Sequence, residues 1–301
     1  MSGICEGRVV IITGAGRGIG RAHALAFAAE GAKVVVNDLG VSLAGEGPSK
    51  SPADEVVEEI LAAGGEALAN GSDISDYVQA GEMVKAALDH FGGLDVVVNN
   101  AGVVRDRMFV SASEEEWDIV IRVHLKGHFC VASNACAFWR GQSKAGKAVD
   151  ARIINTSSGA GLNGSIGQSA YSAAKAGITA LTLVQAAEMG RYGITANAIA
   201  PSARTRMTEE VFEEMMKKPE SGFDAMAPEN ISPLVVWLGS AESREVSGRV
   251  FEVAGGEISL ADGWRSTTPI DKGARWAPDE VGSAVAELIA KNPEPQKVYG
   301  T

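Results

Sequence analysis

The chain has 301 residues, 46% hydrophobic and 22% charged, the balance of an ordinary globular protein with room for one large α/β domain. A formal net charge of -11 argues against nucleic acid or an anionic membrane surface as a partner. Cys5, Cys130 and Cys136 show no CxxC or Cys/His spacing, so free thiols in a reducing compartment are expected and a metal site is not.

The stretch Met1 to Arg8 is too polar for a signal peptide, and no apolar run approaches the length of a membrane span. The last residues, Val298 to Thr301, do not form a peroxisomal address, which leaves the cytoplasm as the expected location.

In chain order, Arg8 to Thr13 (RVVIIT) is a β-branched run of the kind buried in a parallel sheet. Gly18 to Glu30 is predicted helical, Lys33 to Asn37 (KVVVN) is the second strand, and Gly40 to Pro52 is a surface loop. Asp54 to Ala63 reads as helix, Glu66 to Asn70 as strand, Tyr77 to Phe91 as helix and Leu94 to Asn99 as a fourth strand. Ser113 is placed to cap a long helix whose first turn carries Glu114 to Glu116, where the helix dipole favours acids. Ala151 to Thr156 is a fifth strand, Ala170 to Met189 a helix, Thr195 to Ala200 a sixth strand and Arg249 to Val253 a seventh. Strands separated by helices imply parallel crossovers, and so an α/β, doubly wound parallel sheet of about seven strands. No linker-like composition precedes Gly263, so residues 1–263 read as one domain. Residues 264–301 read as an extension with one short helix, Asp279 to Ala290, able to pack on a neighbouring subunit or to fray.

Thr13 to Gly20 (TGAGRGIG) follows the first strand and opens the first helix. Glycines there let the backbone turn tightly and approach a pyrophosphate seated on the helix N-terminus, as in a Rossmann-type nucleotide site. Alone, such a run is also an ordinary strand-to-helix loop. The context adds an acid at the end of the second strand: Asp38, 18 positions beyond Gly20. A carboxylate there accepts hydrogen bonds from an adenosine ribose and repels a 2′-phosphate, which favours NAD over NADP. Arg17 is the counter-signal, since a cation in the loop can pair with that phosphate. Asp73 and Ile74, after the third strand, are placed to flank the adenine, although Asp73 could equally be a helix cap. Asn99 to Gly102 (NNAG) ends the fourth strand with small residues, and an Asn side chain there can tie neighbouring strands together.

Tyr171 and Lys175 lie four apart on one helix face. A phenol with pKa near 10 is a poor base at neutral pH, and a cationic Lys beside it favours the phenolate. The pair thereby approaches the tuning that proton transfer needs. An amphipathic helix surface produces the same spacing. Ser158, 13 residues earlier at the end of the fifth strand, sharpens the pattern, because strand ends are where ligands meet an open sheet. Its hydroxyl could hold a carbonyl oxygen while Tyr171 moves the proton. Ser157 is the rival, since strand alternation lets only one of the two face the site.

Together these residues resemble the short-chain dehydrogenase/reductase family over residues 8 to 255, through Thr13 to Gly20, Asn99 to Gly102, Ser158, Tyr171 to Lys175 (YSAAK) and Pro201. The resemblance implies NAD(P) on the strand ends, hydride transfer at the nicotinamide, and Ser158, Tyr171 and Lys175 as catalytic residues. It places the cofactor against Gly14, Arg17, Gly18, Ile19, Gly20, Asp38, Asp73, Ile74, Asn100, Ala101, Gly102, Tyr171, Lys175 and Pro201, with NAD preferred on the strength of Asp38. It also implies a homo-oligomer, dimer or tetramer, built through the helices flanking the fifth strand. One position departs: where the family usually has an Asn supporting a water linked to the Lys, Val123 to Gly127 (VHLKG) puts His124. A buried, satisfied histidine and a share in the proton relay both stay open there.

The His124 segment, Val34 to Gly40 (VVVNDLG), Val104 to Phe109, Trp117 to Gly127 and Pro233 to Leu238 are similar to one branch of that family. The branch holds the (3R)-hydroxyacyl-CoA dehydrogenase unit of multifunctional enzyme type 2, also called 17β-hydroxysteroid dehydrogenase type 4. This implies oxidation of a (3R)-hydroxyacyl-CoA to its 3-ketoacyl form, with a hydroxysteroid as the alternative substrate. Arg105, Arg107, Arg204 and Arg206 could receive CoA phosphates or be solvated loop charges. Met207, Met215, Met216 and Met226 suit either a lipid-lining lid or helix packing. A non-catalytic NAD(H) sensor is the reading from another class, and intact Ser158, Tyr171 and Lys175 count against it.

Overall fold

Val9–Thr13 forms β1, and all five of its residues are buried, as a β-branched run needs helices on both faces of its sheet. The computed structural model describes residues 3–40, 51–205, 217–261, 263–264, 266–292 and 297–298. The further strands are β2 (Lys33–Asn37), β3 (Glu66–Asn70), β4 (Val96–Asn99), β5 (Ala151–Thr156), β6 (Ile194–Ser202), β7 (Val250–Ala254) and β8 (Glu257–Leu260). They lie in the order β3-β2-β1-β4-β5-β6-β7-β8, all parallel except the β7–β8 hairpin. The order reverses between β1 and β4, which opens a crevice at their carboxyl ends.

Alternating strand residues feed two cores. Val10, Ile12, Val34, Val36, Val96 and Val98 pack with Phe27 of α1 (Gly18–Ala29), Val56 and Ile60 of α2 (Pro52–Ala62) and Leu234 and Val235 of α8 (Ser232–Gly239). Val9, Ile11, Val35, Val97 and Ile153 face the other way, onto Met83 and Ala87 of α3 (Tyr77–Phe91) and Val131 and Trp139 of α5 (Gly127–Lys144). A doubly wound sheet follows directly from this two-sided burial.

The seven expected strands are present, and the structure adds elements the pattern did not announce. Strand β8 turns back through Gly255, whose φ of +53° suits the glycine, and all four of its residues are exposed, so no burial pattern marks it. The helix capped by Ser113 is α4 (Glu114–Ile121), which passes through a π turn at Arg122–Lys126 into α5. A short helix, α6 (Gly159–Asn163), lies between β5 and α7 (Ser169–Met189). β6 runs on through Pro201, which was expected after the strand. Beyond the sheet, α9 (Pro278–Ala290) has no buried residue. The expected loop positions 41–50, and Arg206, Met207, Met215 and Met216, lie outside the described residues.

Candidate active site

The glycine loop is held by its own neighbours. Asn100 Nδ2 donates to the carbonyls of Thr13 (3.0 Å) and Gly14 (3.2 Å), and Thr13 Oγ1 accepts from the amides of Asn100 and Ala101. A Cβ on Gly14 would stand 2.7 Å from Ala101 Cα, and one on Gly20 would stand 2.1 Å from the Gly14 carbonyl oxygen. These glycines let β1, the loop and the turn after β4 touch. The first turn of α1 carries no side-chain cap and no acid, whereas α2, α3 and α4 are each capped by a Ser or Asp side chain. Its amides at Gly18, Ile19 and Gly20 are oriented for a pyrophosphate. Arg17 and Gly18 are exposed beside them. The residues present thus fit a dinucleotide.

Asp38 stands just past β2, half-buried. Its carboxylate accepts from the amides of Gly16 (3.0 Å) and Gly40 (2.9 Å), so it locks the loop. Asp73 Oδ1 closes a turn onto Ser75, and the cap of α3 is Asp76 instead. Ile74 is buried and packs where a Cβ on Gly127 would fall. Ala101, Gly102 and Pro201 complete the carboxyl edge of the sheet.

The two serines divide as alternation requires. Ser157 is buried, with its hydroxyl on the Lys175 carbonyl (2.9 Å) and Thr179 Oγ1 (3.0 Å). Ser158 is only partly buried, caps α6 and accepts from the Ala160 amide at 3.2 Å, leaving its hydroxyl at the strand end. Tyr171 is half-buried, with the Lys175 ammonium 5.5 Å from its ring centre. Lys175 Nζ donates to the Thr156 carbonyl at 2.7 Å, and burial lowers the ammonium to about 7.

His124 stands edge-on to Tyr171, with ring centres 5.2 Å apart, and its Nε2 lies 2.7 Å from the Val103 carbonyl. The π turn carries it inward, a device recurrent at functional sites. A Cβ on Gly102 would fall 2.2 Å from His124 Cε1, so the glycine of the Asn-Ala-Gly turn is required by this ring. Burial, then the Lys175 charge, hold His124 well below its usual pKa, so it stays neutral rather than titrating near neutrality as its residue type suggested.

Sequence reasoning missed Gly161. A Cβ there would lie 2.6 Å from Lys175 Cβ and 2.7 Å from the Lys175 carbonyl carbon, so α6 sits directly on the Lys175 backbone. The small-residue run Gly159 to Gly161 was the available signal. At the mouth, Gln168 donates to Asp106 (3.1 Å) and the Arg107 amide bonds the Gly167 carbonyl, which stitches the loop after β4 to the approach to Tyr171. Of the arginines considered for phosphates, Arg107 pairs with Glu116 and Arg204 grips Asp224 through two nitrogens, while Arg105 Nη1 donates to the Val104 carbonyl.

A parallel sheet with a glycine-lined crevice, and Ser, Tyr and Lys gathered beside it, define a nucleotide-dependent oxidoreductase of the NAD(P)-binding Rossmann class. The short chain dehydrogenase family model matches residues 8–216. The chain belongs to the short-chain dehydrogenase family. It is 44% identical over 297 residues to a protein of Mycobacterium tuberculosis named hydroxyacyl-CoA dehydrogenase ChsB1, covering 96% of this chain and 91% of that one. It is 50% identical over 254 residues to the mouse peroxisomal multifunctional enzyme type 2, 84% of this chain but 32% of that larger one. A crystal structure of a short chain dehydrogenase from Mycobacterium avium superposes with a TM-score of 0.90 at 64% identity, covering 99% of this chain and all of that one. Among the described residues, no helix is long and apolar enough to cross a membrane, and no cluster of side chains could hold a metal ion.

Proposed function

We propose that this protein is an NAD(H)-dependent dehydrogenase that interconverts a (3R)-hydroxyacyl-CoA and its 3-ketoacyl-CoA. The observation that carries the reading is the gathering of Ser158, Tyr171 and Lys175 at the carboxyl edge, beside an uncapped glycine loop. Near-full-length identity to a hydroxyacyl-CoA dehydrogenase supports the substrate class.

Gly14, Arg17, Gly18, Ile19 and Gly20 hold the pyrophosphate, and Asp38 takes the ribose hydroxyls and disfavours a 2′-phosphate. Asp73 and Ile74 flank the adenine, while Asn100, Ala101, Gly102 and Pro201 let the dinucleotide lie close. When bound, it supplies or accepts a hydride. Ser158 holds the substrate oxygen, Tyr171 gives or takes its proton, and the Lys175 ammonium favours the phenolate and holds the nicotinamide ribose. His124, neutral and fixed on Val103, sets the Tyr171 ring edge-on.

Absorbance of NADH is followed against 3-ketoacyl-CoAs of several chain lengths, a 17-ketosteroid and a sugar ketone. The thioesters are expected to turn over fastest. Tyr171→Phe is expected to lower kcat by about 10²–10⁴-fold while NADH affinity is kept. Faster turnover of the steroid moves the protein to the hydroxysteroid reading, and tight NADH binding with no turnover makes it a sensor.

A further inference from the structure

His128 lies in the first turn of α5, four residues after His124, and is fully buried. Neither of its ring nitrogens has a hydrogen-bond partner among the described residues. Orphaned polar atoms are rare in a core, because each forfeits its solvation. Here three more share that state: His124 Nδ1, Asn99 Oδ1 and Thr156 Oγ1. The backbone carbonyls of His124, Asn99 and Thr156 lie around the ring, outside hydrogen-bond geometry to either nitrogen. The Thr156 carbonyl is also the one that accepts from Lys175 Nζ at 2.7 Å. The ammonium holds that oxygen and the imidazole lies beside it.

An ammonium has three N–H donors, and the bond to Thr156 is the only hydrogen bond of Lys175 Nζ among the described residues. The titratable groups that face His128 are His124 from the π turn and Lys175 from α7; β4 and β5 present Asn99 and Thr156. Helix α3, packed on α5 at Asn134, brings no charge to the ring, and among the described residues no carboxylate acts on it. Burial lowers His128 to about 3, so the ring is neutral and keeps one acceptor nitrogen.

Building on the reading of Lys175 as the group that tunes Tyr171, we propose that His128 is a positioning residue. Its neutral ring accepts a hydrogen bond from the Lys175 ammonium across one water, and holds that ammonium against the Thr156 carbonyl. Neutral imidazoles suit the place, since a carboxylate there would pair with Lys175 and draw its charge away from the phenol.

The test reads Lys175 without turnover. The carbon-13 resonance of its Cε is titrated in cofactor-free, lysine-labelled protein and assigned by its loss in Lys175→Met. His128→Leu removes the acceptor at similar volume and is expected to lower the Lys175 midpoint by about one pH unit. His128→Gln, whose amide oxygen accepts, is expected to restore it. A midpoint unmoved in the Leu variant, or lowered equally in the Gln variant, overturns the proposal. Should the Leu variant not fold, the nitrogen-15 resonances of the wild-type His128 ring carry the test: they are expected to shift as Lys175 titrates and to lose that inflection in Lys175→Met. A ring that ignores Lys175 overturns the proposal. No arm uses substrate, so a wrong assignment of the reaction leaves these outcomes unchanged and is exposed by the ketone panel.

Discussion

Asp38 performs two tasks with one carboxylate. It grips the amides of Gly16 and Gly40, and in the proposed function it meets the adenosine ribose. Asp38→Ala is therefore expected to narrow the preference for NADH over NADPH by about tenfold, the worth of one charge-assisted hydrogen bond, and to raise KM for both. Wild-type protein that already uses NADPH as readily would remove Asp38 from this role. The position was readable because a strand-end acid after a glycine loop is a local pattern. The sequence puts Ser158 forward with Ser157 as its rival, and the fold separates the two by burial, because it decides which hydroxyl meets the carbonyl of Lys175, 18 residues beyond Ser157. The neutral state of His124 was hidden for the same reason. Its acidity is set by burial against Gly102 and the charge of Lys175, neither adjacent in the chain.

Helices α6 and α7 meet at Gly161, where the Lys175 backbone leaves no room for a methyl group. Gly161→Ala is expected to push α7 outward, lower stability by about 1–3 kcal/mol, and reduce kcat by carrying Tyr171 and Lys175 together away from Ser158 at the end of β5. Thermal unfolding and NADH turnover check this together; a variant with unchanged melting temperature and kcat would mean that the contact yields without consequence. Long elements with strong periodicity were legible: β1, β2, α3 and α7 fall within about two residues of their expected spans. The short ones escaped. Helix α6 has five residues and no apolar stripe, β8 is exposed along its whole length, and the π turn at Arg122–Lys126 leaves the surrounding helical pattern nearly intact.

Across the molecule, buried cationic groups push stability in one direction. Burial lowers His23 and His128 from the ordinary imidazole value to about 3, and Lys175 to about 7. In each case the unfolded chain binds protons that the folded chain refuses. The two histidines thus contribute stability that is complete above their unfolded pKa of 6.5 and is lost as pH falls toward 3. Lys175 adds a gain as pH rises from 7 toward its unfolded 10.5. The cofactor-free protein is expected to melt at a lower temperature at pH 5 than at pH 8, with each histidine costing about 2 kcal/mol at the lower pH. His23→Gln, which keeps a partner for Ser232 Oγ, is expected to flatten the dependence. A melting temperature equal at the two pH values in wild type would refute the burial argument.

The alternation of apolar runs with helical segments, the glycine spacing, the strand-end acid and the Tyr-to-Lys interval are all properties of neighbouring residues. They were sufficient for the layered sheet, the nucleotide crevice and the family. What needed the folded chain is everything that depends on groups brought together from afar: the serine that faces the crevice, the glycine beneath Lys175, and the histidines kept uncharged around it. Acidity and steric fit are set by burial, and burial is a property of the packed whole that no stretch of sequence carries alone.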